Sequence, residues 1–206
     1  MDVVVELRRH HVSRVRQMLA DLDIMIFTLG LTETWVSPED GTAFPTAPGV
    51  IAGDVDHGLA SFRNLTVDDV RADLEEFWRL LKGINSKARM ILTVSPVPLI
   101  ATATDQHVLN ATMYSKSVLR VAAQHMCEEY GDVHYFPSFE IVNSAQGGGY
   151  YFNPDRRTVN DHGVGRVMSH FFTGDLARAF PVGGTEAQYG DGVVCDEDRI
   201  ESSTNV

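Results

Sequence analysis

Residues 88–95 read ARMILTVS, an apolar run with no regular polar alternation. A strand with one wet face alternates apolar and polar side chains, so an unbroken apolar run of strand length predicts burial on both faces, as in a parallel sheet covered by helices. Two further runs have the same character: DIMIFTLG at 23–30 and DVHYFP at 132–137. Helical patterns separate them. Val67, Val70, Leu74, Phe77, Trp78 and Leu81 recur at helical spacing, and Thr66 with Asp69 forms a variant capping box that would start that helix. Ala111, Tyr114, Val118, Val121 and Ala122 mark a second helix, and Val164, Val167, Met168, Phe171 and Phe172 a third. A helix over Val5 to Asp21 precedes the first strand, with Val3 to Val5 as an additional strand candidate. Strand and helix in alternation predict an α/β layered fold.

The chain has 206 residues, enough for one domain with a substantial core, expected over 1–180. Residues 181–206 lack periodicity and read as an acidic, disordered tail. The net charge of −11 disfavours a polyanionic partner, so nucleic acid is not expected. From Thr185 to Val206 six acids stand against one base, Arg199. No run approaches the roughly 18 apolar residues of a membrane span. MDVVVELRRHH places its charges after its apolar residues, the reverse of a signal peptide, so no membrane association and a cytoplasmic location are expected. Cys127, in a predicted helix, and Cys195, in the tail, do not read as a disulfide framework. No His, Cys, Asp and Glu spacing matches a metal signature, and AQGGGYY at 145–151 opens no phosphate-binding helix; no metal or cofactor is expected.

In open parallel sheets ligands bind beyond the carboxyl ends of the strands. That places LGLTETW, SPVPLIATATDQH and PSFEIVN at one rim. The stretch from Gly30 to Leu65 is far longer than the usual connection of about 4 to 6 residues, and TWVSPEDGTAFP within it reads as a small hairpin. Ser95, at the end of the second strand, is the best-placed hydroxyl, and His107 is a candidate for lining the crevice. Trp35 could pack on an acyl or sugar group. If Asn160 caps the last helix, His162 lies in its first turn as a candidate base, oriented by Asp155 or Asp161.

The segments FTLGLTETW, FPTAPGVIAG, ILTVSPVPLIAT, YSKSVLR and YFPSFEIV, in this order, resemble the GSCFA-domain family from the first helix to about Phe172. The resemblance implies a branch of the SGNH (GDSL-type) hydrolase superfamily: a flavodoxin-like, three-layer α/β/α sandwich with serine-dependent acyl-ester chemistry. Through GLTE, Thr32 and Glu33 correspond to the block that supplies an oxyanion donor in the wider superfamily, and Asp155 to the aspartate of its Asp-x-x-His pair. Two departures matter. The Gly-Ser-Cys-Phe-Ala segment that carries the nucleophile is not found in these 206 residues, so the sheet is expected to lack its first strand. DRRT at 155–158 then puts Thr158 where the family has its histidine, and a threonine hydroxyl does not titrate near neutrality. These departures lead to the expectation of a truncated or degenerate hydrolase or O-acyltransferase. The alternative is a non-catalytic module that holds an acylated small molecule or glycan, or that pairs an exposed sheet edge with a partner chain or a second copy.

Overall fold

The computed structural model describes residues 2–47 and 60–174. Along the chain run α1 (Asp2–Asp21), β1 (Ile24–Leu29), β2 (Glu33–Val36), β3 (Ala43–Phe44), β4 (Ser61–Asn64) and α2 (Val67–Ile84). They are followed by β5 (Arg89–Val94), α3 (Val108–Glu129), β6 (Val133–Phe136), α4 (Ser138–Asn143), a 3-10 turn at Ala145–Gly147, and α5 (Asp161–Thr173). Each of the three apolar runs is a strand of one parallel sheet, in the order β1-β5-β6.

The central strand shows why its sequence is apolar throughout. Met90, Leu92 and Val94 face α2 and α3, where Leu74, Trp78, Leu81, Leu119, Ala122 and Met126 complete the main core. Ile91 points the other way, into a smaller cluster with Phe136, Ile24, Val167 and Phe171 that seats α5. Helices therefore cover both faces, and the fold is an α/β sandwich. The predicted capping box is present: Asp69 N–H donates to Thr66 Oγ1 at 3.2 Å, and Thr66 N–H donates to Asp69 Oδ2 at 2.9 Å. At the other end of α2, Lys82 Nζ donates to Ser86 O, Ala88 O and Asp132 Oδ2 (2.6, 3.1 and 3.0 Å), tying the helix to the entry of β5 and β6.

Three local expectations change. Val3 to Val5 form no strand, because α1 is helical from Asp2. Val3 and Val4 are exposed and have no neighbouring strand among the described residues, and a helix satisfies its own backbone groups where an isolated strand cannot. PSFEIVN is the short helix α4 rather than a rim loop. Ser138 Oγ donates to Val94 O at 2.8 Å and lies 2.6 Å from Thr93 Oγ1, which pins this helix to β5. The predicted hairpin forms, with Trp35 paired to Phe44 and Val36 to Ala43. Its turn closes through Ser37 N–H to Thr42 O, with Gly41 at φ 75°, a left-handed conformation that suits glycine. SFRN then adds as β4 on the other side of β2, giving a second, antiparallel sheet that the sequence did not suggest.

Among the described residues no helix is long and apolar enough to cross a membrane. The expected tail at 181–206, His57 and Cys195 lie outside the described residues. Cys127 is half-buried against the main core, and burial raises its thiol pKa above the ordinary value.

Candidate functional site

Two cavities of about 450 Å³ each adjoin the carboxyl ends of β1 and β5 and meet at Ser95, Val97 and Arg157. Their size falls within the range of about 300–1,000 Å³ common for small-molecule sites. The first lies between the sheet and α5, walled chiefly by Ile26, Phe136, Val164, Val167, Met168 and Phe171. The second lies between the β2–β3 hairpin and residues 95–101, and its lining includes Glu33, Trp35, Lys116 and Arg157.

Ser95 is the hinge between the two. Its N–H completes the β1 ladder by donating to Leu29 O at 2.9 Å, and its Oγ accepts the N–H of Val97 at 3.2 Å. The chain then turns away at Pro96, which positions the hydroxyl at the junction.

The 153–160 segment is folded around a carboxylate. Asp155 Oδ1 accepts the N–H groups of Arg157 and Thr158 at 2.9 and 3.0 Å, while Thr158 Oγ1 donates to Asp155 Oδ2 at 2.5 Å. Asn153 N–H donates to Thr158 O at 2.8 Å, and Arg156 takes a left-handed φ of 60° to close the turn. The Thr158 hydroxyl, then the two backbone donors, hold the Asp155 carboxyl below its ordinary 3.8. A depressed carboxylate favours the folded loop above pH 3.8, and that contribution fades as the pH falls through the lower, folded-state value. Asp155 therefore orients Arg157 and Thr158, both of which line the crevice, while itself remaining exposed to solvent.

Among the described residues no histidine lines either cavity. Asn160 caps α5 as expected, its Oδ1 accepting Gly163 N–H at 2.9 Å. His162 follows it, but on the solvent side, with its ring 5.4 Å from that of Tyr150. His107 is the N-cap of α3, its Nδ1 accepting Leu109 N–H at 3.2 Å, and is likewise exposed. Thr32 is wholly buried, and both its donors are used internally: N–H to Ser115 Oγ at 2.8 Å and Oγ1 to Asn64 Oδ1 at 2.6 Å. Glu33 does line the second cavity, where its two oxygens accept Thr102 Oγ1 at 2.5 Å and Ala103 N–H at 2.9 Å. Trp35 forms part of the same wall and packs on Phe62 at 5.5 Å. Of the residues singled out in the sequence, the structure thus brings Ser95, Glu33 and Trp35 to the crevice, with Asp155 acting through its turn.

Two charged lining residues were not singled out. Lys116 is 2% exposed, and its Nζ donates to Gly30 O at 2.7 Å, joining α3 to the loop after β1. Its signal is faint but present, since in YSKSVLR it stands one helical turn from Thr112 and from Leu119, both buried. Arg157 carries no periodic signal; it sits in the turn whose Asp155 carboxylate accepts its N–H.

The sequence model of the GSCFA family matches residues 1–171. No curated protein matches the chain.

Proposed function

The chain belongs to the GSCFA family, and on that footing we propose that these residues keep the scaffold of an SGNH-type acyl-ester hydrolase or O-acyltransferase without its chemistry, holding an acylated ligand in the crevice. One observation carries this reading. At the position that the resemblance assigns to the family's base, the Thr158 hydroxyl donates a hydrogen bond to Asp155 and lines the crevice as a neutral, non-titrating group. Serine catalysis needs a base within hydrogen-bond reach of the hydroxyl. Ser95 Oγ accepts the Val97 N–H of its own turn, and neither His107 nor His162 joins it at the cavity walls. The apolar wall beneath α5 suits an acyl chain, and Trp35 with Glu33 suits a polar group joined to it.

A serine-directed fluorophosphonate probe tests the loss of chemistry on the purified chain. The expected result is no adduct on Ser95; an adduct there, formed by native but not unfolded protein, would return the site to catalysis.

A second reading, self-association, is favoured by β1. Among the described residues this strand pairs only with β5, and Ile26 at its middle is 56% exposed. An unpaired edge beside an apolar side chain is a template for another copy of the same strand. Sedimentation at micromolar concentration should then show a dimer that Ile26→Lys disperses; a monomer at every concentration removes this reading.

A further inference from the structure

The cavity under α5 is apolar along its walls and carries hydroxyls at the carboxyl end of β5. Thr93 and Ser138, both buried, line it together with Ser95 and with Thr28, the register partner of Thr93 on β1. Side chains alternate along a strand, so Ile91, Thr93 and Ser95 share the α5 side of β5, about 6.6 Å from one to the next. A hydroxyl has one proton to give, and the hydrogen bonds show where two of these protons go. Ser138 Oγ donates to Val94 O at 2.8 Å. Its 2.6 Å contact with Thr93 Oγ1 therefore takes its proton from Thr93. Thr93 is left able to accept a hydrogen bond but not to donate one. Ser95 is the reverse case: its Oγ accepts Val97 N–H at 3.2 Å, and no group among the described residues takes its proton.

Two residues apart on one strand, the cavity thus presents a buried acceptor without a proton and a donor without a partner. An ester offers its carbonyl oxygen to Ser95 but has no proton for Thr93, and a buried acceptor left unmatched costs affinity. A secondary amide matches both, its C=O accepting the Ser95 proton and its N–H donating to Thr93. From this pairing we propose that the crevice selects an N-acyl ligand, a secondary amide, over the corresponding ester. The acyl chain lies under α5 against Val167, Met168 and Phe171, the amide at Thr93 and Ser95, and the acylated amine toward Glu33 and Trp35 in the adjoining cavity. The proposal rests on the reading of the crevice as an acyl-binding site and adds the linkage that it recognises.

Calorimetric titration of the full chain tests this with four probes of equal acyl length, each below its solubility limit: N-ethyloctanamide, ethyl octanoate, N-ethyl-N-methyloctanamide and octanoate. The secondary amide should bind at one site, about tenfold more tightly than the ester and than the N-methylated amide, which lacks the N–H; that is the scale of one hydrogen bond. Thr93→Val, which keeps the shape and removes the acceptor, should bring the secondary amide down to the affinity of the ester. If that variant does not fold, the four titrations of the unaltered chain decide the matter. Any of the other three probes bound as tightly as the secondary amide, or an amide preference that survives in folded Thr93→Val, overturns the linkage assignment while leaving the acyl crevice in place. Binding of none of the four overturns the acyl crevice as well.

Discussion

Trp78→Ala is expected to cost about 3–5 kcal/mol, the range for removing a large aromatic side chain from a core. Trp78 is 4% exposed, meets Tyr130 edge-on with ring centroids 6.3 Å apart, and has Lys82 Nζ 5.1 Å above its ring. It also joins α2 to the Met90–Leu92–Val94 face of the sheet, so the cavity left behind would border three elements. Against a typical total of about 5–15 kcal/mol, a loss of this size leaves the domain marginal. Urea unfolding measures it: with a slope of about 1–3 kcal/mol per molar, the midpoint should fall by at least about 1 M. A shift within error would mean that α2 does not pack as described.

Gly163→Ala should destabilise the protein by about 1–3 kcal/mol, although the same change in an exposed helix is usually favourable. A Cβ at this position would meet Val159 Cγ1 at 2.6 Å and the backbone oxygen of Tyr151 at 2.9 Å. The valine could rotate aside. The carbonyl is less free, because it accepts Asn160 N–H at 2.9 Å, the contact that sets the entry to α5. Gly165, two residues on, leaves open space within 4 Å of where a Cβ would stand, so Gly165→Ala should stabilise by up to about 1 kcal/mol. Thermal unfolding of the two variants side by side should show shifts of opposite sign. Equal shifts would place the start of α5 away from Tyr151 and remove one wall of the apolar cavity.

How much of this was legible follows from which contacts are local. The three strands of the main sheet could be read because burial on both faces leaves an apolar run, and α2 and α5 because Thr66 and Asn160 cap within three residues of themselves. Val3 to Val5 misled because three β-branched residues carry strand propensity, while strand formation depends on a neighbour that local sequence does not reveal. The short helix α4 was hidden for a related reason: its anchor is Ser138 on Val94, 44 residues away. At the site, Thr158 three residues after Asp155 was visible as a departure from the pattern that the resemblance implies. The cavity that makes it matter was not, since Lys116 reaches Gly30 across 86 residues and Arg157 owes its direction to a turn closed by Asp155.

The loss of proton-transfer machinery is the claim on which the functional account turns. Asp155 accepts the Thr158 hydroxyl, Ser95 Oγ accepts the Val97 N–H, and among the described residues the cavities they border carry no imidazole. Hydrolysis of p-nitrophenyl acetate by the purified 206-residue chain, compared with an equal concentration of the unfolded chain, tests this most directly. The account predicts equal rates for both, unchanged by Ser95→Ala; turnover specific to the folded chain and abolished by Ser95→Ala would contradict it.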